Sequence, residues 1–121
     1  MVKKNKKTNP ALIALIQELK KQAAEKDAPI WKDVAVRLEK PSNNWPEVNL
    51  NRISKYAGDK ETALIPGKVL SDGNLTKKIT IAAWSFTESS KEKIKKAGGK
   101  TSTIEEVMKH NPEGKNIRIL G

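Results

Sequence analysis

Residues 68–98 restrict the possible folds more than any other stretch. Val69 and Leu70 form a short apolar run that meets Asp72-Gly73, a pair suited to a tight turn because glycine reaches positive φ at no steric cost. Residues 78–83 then alternate with period two, which predicts a strand with Ile79, Ile81 and Ala83 on one face and Lys78, Thr80 and Ala82 on the other. Thr87 follows as a helix cap, and Ser90, Ile94 and Ala97 make a stripe at helical spacing that Gly98-Gly99 terminates. A strand, a turn, a strand and a capped helix make one ββα unit. Nothing in it has the arrangement of a catalytic site.

The flanking segments add helices before the unit and a second strand–helix–strand passage after it. Residues 1–8 carry Lys3, Lys4, Lys6 and Lys7 with almost nothing to bury, so they read as a basic flexible tail that orders on meeting an anion. One domain is expected over residues 9–121. Asn9-Pro10 is a side-chain cap with proline at the first helical position, and Leu12, Ile13, Ile16, Leu19 and Ala23 share the following helix face. A second helix starts at Asp27-Ala28-Pro29 with the stripe Ile30, Trp31, Val34, Ala35 and Leu38, and the short link predicts an antiparallel helical hairpin. Trp31 lies on that stripe and reads as core.

Trp45 has two readings. It sits in the loop 40–47 between Asn44 and Pro46, where an indole can stack on a base or tuck under the loop as a plug. Val48-Asn49-Leu50 reads as a short strand. Asn51 then caps a brief helix holding Ile53 and Tyr56, with Arg52 and Lys55 facing outward, and Thr62 to Ile65 enters the central unit through Pro66-Gly67. Beyond the unit, Thr103 and Glu106 have capping-box spacing for a helix through Ile104, Val107 and Met108. Asn111-Pro112 ends that helix, Glu113-Gly114 turns, and Ile117–Leu120 closes as a strand. The expected class is α/β, built of irregular ββα units with short strands behind an N-terminal helical hairpin and a basic tail.

Charge then narrows the function. The 121 residues carry a net charge of +10. Residues 1–60 hold 13 basic and 7 acidic side chains, residues 61–100 hold 8 and 4, and residues 101–121 hold 3 and 3. The field therefore comes from the first hundred residues, and a polyanion is the natural partner. Lysine outnumbers arginine 21 to 3, which suits point-charge neutralisation of phosphate better than bidentate reading of bases. The basic residues on turns and helix ends are the candidate contacts: Arg52, Lys55, Lys68, Lys77, Lys78, Lys91, Lys95, Lys96 and Lys100, together with the tail lysines and Trp45.

Other chemistry finds little support. Cysteine is absent, so disulfides and thiolate metal sites are excluded. No apolar run is long enough to cross a bilayer and no signal-type apolar segment stands apart, so an intracellular, cytoplasmic protein is expected. Gly99-Lys100-Thr101 resembles the end of a phosphate-binding loop, but Ile94 stands where the motif needs glycine and a helix precedes it instead of a strand. His110, the single histidine, lies at a helix C-terminus, where capping explains it and a metal site does not. Glu88 and Glu92 are interleaved with lysines, Glu105 and Glu106 point to different helix faces, and no serine has a histidine near it in sequence. No catalytic residue, metal ligand, cofactor or small-molecule substrate is assigned.

Lys68-Val69-Leu70, Gly73, Leu75, Ile79, Ile81, Phe86-Thr87, Ile94 and Gly98 together resemble the signature shared by bacterial large-subunit ribosomal protein fifteen and its archaeal and eukaryotic relative, ribosomal protein eighteen-e. Lys77–Ala83 and Ala97-Gly98-Gly99 look like the archaeal eighteen-e form, and Val48-Asn49-Leu50 and Asn111–Gly114 extend the likeness over most of the chain. Ser90 stands where the family pattern usually has alanine. The resemblance implies a structural protein of the large ribosomal subunit, bound to its rRNA beside other ribosomal proteins and monomeric outside the ribosome. Two rival readings are a basic RNA- or DNA-binding module outside the ribosome and an enzyme acting on RNA.

Overall fold

The computed structural model describes residues 9–41, 45–58 and 61–120. The predicted basic tail, Lys3, Lys4, Lys6 and Lys7 included, lies outside the described residues.

The first two helices follow from their caps. Helix α1, Pro10–Glu25, starts where the Asn9 side chain accepts from the Ala11 and Leu12 N–H groups at 2.9 and 3.3 Å. It ends in a left-handed residue, Asp27 at φ 51°, and the Ala28 N–H donates back to the Ala23 carbonyl at 3.0 Å. Asp27 therefore closes α1. The predicted cap of the second helix moves to Ala28, because the backbone has already used Asp27 for the turn. Helix α2, Pro29–Glu39, runs back along α1, and Lys20 meets Glu39 at 2.7 Å. Leu12, Leu15, Ile16 and Leu19 are the buried residues of α1. Ile13, predicted inside, is exposed, because a 16-residue helix with one packed face cannot turn both Ile13 and Leu15 inward.

Strand β1, Glu47–Asn49, leads directly into α3, Leu50–Tyr56, so Leu50 belongs to the helix and Asn49 is its cap position, two residues earlier than the Asn51 cap predicted. Strand β2, Thr62–Leu70, runs unbroken through Pro66-Gly67, which was expected to be a linker. A register shift between Ile65 and Lys68 absorbs the proline. Strand β3, Thr80–Phe86, helix α4, Glu88–Lys96, strand β4, Lys100–Thr103, helix α5, Ile104–His110, and strand β5, Ile117–Ile119, complete the described elements. Strand β4 opens the second strand–helix–strand passage, and its bounds do not show in the sequence, since its Lys-Thr-Ser-Thr run has no apolar alternation. The capping box of α5 is present, with Thr103 Oγ1 accepting from the Glu106 N–H and Glu106 accepting from the Thr103 N–H, both at 3.0 Å.

The strand order is β1-β2-β3-β4, and every pairing is parallel. Because β3 occupies one edge of β2, the other edge is shared: β5 pairs with Thr62–Leu64 and β1 with Lys68–Leu70. The ββα passage is thus β2, β3 and α4, but its strands are parallel. The expected turn is a return loop over residues 71–79, in which Gly73 does take positive φ, 84°. Leu75 and Ile79 are buried within that loop.

Helices cover both faces of the sheet. On one face, α1, α2 and α5 enclose Leu64 and Ala82 in a cluster around the fully buried Trp31. On the other, Leu50, Ile53 and Ala57 from the α3 segment, Leu75 and Ile79 from the loop, and Ile94 from α4 enclose Ala63, Ile65, Ile81 and Ala83. Period-two alternation sorts neighbouring strand residues to opposite faces, and both faces are apolar because both are covered.

Gly67 is buried where β1 crosses close to β2, and a Cβ there would run into the Pro46 carbonyl oxygen. That carbonyl also accepts from the Lys68 N–H at 3.1 Å, so neither strand can retreat cheaply. Gly67→Ala is expected to cost about 3 kcal/mol by overpacking against backbone, lowering the melting temperature by roughly 10 °C in circular dichroism.

Candidate nucleic-acid interface

The two layers differ in charge. Residues 9–41 of the helical hairpin carry six basic and five acidic side chains, so their charges nearly cancel. On the opposite layer, residues 50–58 carry two basic and no acidic, residues 71–79 two and one, and residues 87–100 five and two. Topology therefore gathers most of the folded chain's excess cations onto the layer made by α3, the return loop and α4.

That layer is held together by polar contacts. The Asn51 N–H donates to the Asp72 carbonyl at 3.1 Å, and Ser54 Oγ bridges the loop by donating to the Asn74 carbonyl at 3.1 Å and accepting from the Thr76 N–H at 3.0 Å. Lys93, not among the sequence candidates, reaches across to the Ser71 and Gly73 carbonyls at 2.9 and 3.0 Å and closes the loop against α4. Lys77 donates to the Ala57 carbonyl at 2.6 Å, at the C-terminal end of α3 where a cation is favoured. These two lysines help to shape the surface.

Helix α4 divides cleanly. Thr87 Oγ1 accepts from the Ser90 N–H at 3.2 Å, Ser90 and Ile94 face the sheet, and Lys91, Lys95 and Lys96 are exposed. Ser90 is fully buried, its hydroxyl donating to the Thr87 and Val69 carbonyls at 2.8 and 3.3 Å, so its polar atom is not orphaned. At the end of α4, Lys95 and Lys96 lie in the last turn, the Lys78 side chain drapes over Gly98, and Lys100 begins β4 with its N–H on the Ile79 carbonyl. Among the described residues, the ammonium groups of Lys68, Lys78, Lys95, Lys96 and Lys100 make no hydrogen bond or ion pair with the protein. Lys68 lies apart from that corner, exposed on the otherwise largely buried β2 opposite Glu47, and Lys91 is 3.6 Å from Glu88.

Trp45 is half-buried against the hairpin cluster, its indole N–H donating to the Lys40 carbonyl at 3.0 Å and its ring meeting Trp84 edge-to-face at 6.0 Å and 76°. Arg52 and Lys55 are exposed, with Arg52 Cζ 5.9 Å and Lys55 Nζ 5.4 Å from the centre of the Tyr56 ring. Tyr56 went unnoticed in the sequence as a candidate, although Arg52 precedes it by one helical turn.

An open groove of about 400 Å³ is lined by Trp84, Phe86, Lys91, Thr101, Thr103 and Glu106 among others. It holds no histidine. Among the described residues no group of three or more His, Cys, Asp or Glu could hold a metal, and no helix is long and apolar enough to cross a membrane.

Two carboxylates are perturbed, both for structural reasons. Arg118 donates to Glu61 at 2.8 and 3.3 Å and the Gly58 N–H at 2.7 Å, and the Arg118 contact first of all lowers the Glu61 pKa from the ordinary 4.5 while raising that of Arg118. The Thr103 N–H does the same for Glu106 within the capping box. Both groups bind protons more weakly folded than unfolded, so their contribution to stability is complete above about pH 4.5 and is lost as pH falls through the lowered folded values. Glu61→Gln is expected to flatten the acid limb of a stability-versus-pH curve below about pH 4.5 and to leave its slope near neutrality unchanged.

The surface so described is cationic, and among its described residues there is no histidine to act as a base. The proteins this chain is similar to are ribosomal. A family model described as "Ribosomal protein 60S L18 and 50S L18e" matches residues 1–121. "Large ribosomal subunit protein eL18" of Methanothermobacter thermautotrophicus is 45% identical over 120 residues, covering 99% of each chain. The protein of the same name from Methanococcus maripaludis is 47% identical over 119 residues, 98% of this chain and 99% of the relative. That from Archaeoglobus fulgidus is 45% identical over 115 residues, 95% and 98%. The family model covers the whole chain, and the relatives are matched over nearly their full length: the chain belongs to the ribosomal protein 60S L18 and 50S L18e family.

Proposed function

We propose that this protein is a structural constituent of the cytoplasmic large ribosomal subunit and not an enzyme, and that it holds large-subunit rRNA through lysine–phosphate contacts. The observation that carries the reading is the full-length family match combined with a cluster of exposed lysines, Lys78, Lys95, Lys96 and Lys100, whose ammonium groups have no protein partner among the described residues. Free cations on a rigid surface release counterions when they meet phosphate, and that release supplies affinity without sequence reading.

Lys78, Lys95, Lys96 and Lys100 form the densest contact region, Lys68 and Lys91 extend it along the strand ends, and Arg52 and Lys55 extend it along α3. Lys3, Lys4, Lys6 and Lys7 add an extension that threads between RNA segments. Trp45, with its N–H and one ring edge engaged by the protein, braces its loop beside the RNA. Residues 9–121 act as one domain, monomeric before assembly, and neighbouring ribosomal proteins meet the less charged hairpin layer. Tagged protein expressed in cells is expected to travel with large subunits through a gradient after a moderate salt wash. Recovery only at the top of the gradient would overturn the reading in favour of a module outside the ribosome.

A further inference from the structure

Tyr56 is the single tyrosine, 52% exposed, and among the described residues the one large exposed hydrophobic residue on the cationic layer; Ile13 and Val36 belong to the hairpin. Two cations sit over or beside its ring. Of the three arginines, Arg37 is committed to Asp33 at 3.0 Å and Arg118 to Glu61 at 2.8 Å, whereas Arg52 has no carboxylate partner among the described residues. The base beneath the ring is fixed: the Ala57 N–H closes on Ile53, Lys77 caps the Ala57 carbonyl, and Ser54 is tied to the loop on both sides.

We propose that Tyr56, with Arg52 and Lys55, is a stacking site for one unpaired RNA base, a role that rests on the rRNA-binding reading above. The phenol ring offers a π face to the base, and the guanidinium and ammonium swing from the ring to the phosphates on either side of it. Bases inside a duplex are already stacked and cannot lie on this ring, so the ligand is a bulged, looped or single-stranded nucleotide. The occupant is RNA and not an acidic peptide, because an aromatic ring with two cations close to it matches a unit that alternates a flat base with anionic phosphates.

The probe is a full-length large-subunit rRNA transcript, bound at fixed salt by the full chain and by Tyr56→Phe, Tyr56→Trp and Tyr56→Leu, each shown folded by circular dichroism. Phe and Trp are expected to bind within about twofold of the parent and Leu about tenfold more weakly, with the salt slope unchanged because stacking releases no counterions. Irradiation at short wavelength is expected to leave a nucleotide adduct on the peptide that begins at Tyr56. Parent-like binding by the Leu variant would overturn the stacking site and leave the rRNA reading standing, reducing the cluster to a helix-stabilising ornament. A loss in Phe equal to that in Leu would overturn it as well, by assigning the contact to the hydroxyl. A parent protein that fails to bind the transcript would bring down both.

Discussion

Trp31→Ala is expected to cost about 4 kcal/mol, the largest loss of stability from any single truncation in this chain. The indole is fully buried at the centre of the hairpin cluster, where α1, α2 and α5 converge on Leu64 and Ala82. Its N–H donates to the Pro112 carbonyl at 2.8 Å, tying the hairpin to the turn that follows α5. Truncation opens a cavity that the flexible Met108 side chain of the same cluster can refill only in part, and it removes the donor from a partly buried carbonyl. Urea midpoints at constant m-value measure the effect. Trp45→Ala is the control: its ring is half-buried and its main aromatic neighbour is Trp84, so its cost should be well below that of Trp31. A loss at Trp31 no greater than at Trp45 would mean that the hairpin does not depend on its indole.

The largest functional effect is expected from neutralising four lysines together. Lys78→Gln, Lys95→Gln, Lys96→Gln and Lys100→Gln remove the cations clustered where α4 ends and β4 begins, none of which is spent on a protein partner among the described residues. Each phosphate contact contributes about 0.7–0.9 to the slope of log affinity against log salt, so the set should reduce that slope by roughly 3 and weaken rRNA binding on the order of 10²- to 10³-fold at 0.1 M salt. All four residues are exposed, so the fold should persist. The matched set Lys20→Gln, Lys21→Gln, Lys26→Gln and Lys32→Gln removes the same charge from the hairpin layer and should change the slope by less than about 1. Equal losses from the two sets would show that net charge alone acts, with no preferred layer.

Much of this architecture is legible in the residues, because the signals that encode it are local. The Asn9 cap, the Thr103–Glu106 capping box, the stripe on α4 and the left-handed Gly73 each depend on a few neighbours, and each forms as its spacing predicts. What escapes is whatever depends on partners far along the chain. An Asp-Gly pair between two short apolar runs suggests adjacent strands with a tight turn, yet β2 and β3 are parallel because burial of Leu75 and Ile79 stabilises a longer return. Strand β4 pairs through its backbone alone, so its polar side chains conceal it. The lysines were visible one by one, but their division between free and committed groups was not. Lys93 and Lys77 differ from Lys95 and Lys96 only in where the loop carbonyls fall. Tyr56 was hidden for the same reason, since its exposure depends on what the sheet leaves uncovered.

Lysine acetylation footprinting, comparing free protein with the same protein inside intact large subunits, puts the central claim at greatest risk. Lys78, Lys95, Lys96 and Lys100 should lose most of their reactivity in the subunit and regain it after RNase digestion, while Lys20, Lys21 and Lys32 on the hairpin change less. Protection of the hairpin lysines with the α4 corner still reactive, or protection that survives removal of the RNA, would contradict the account.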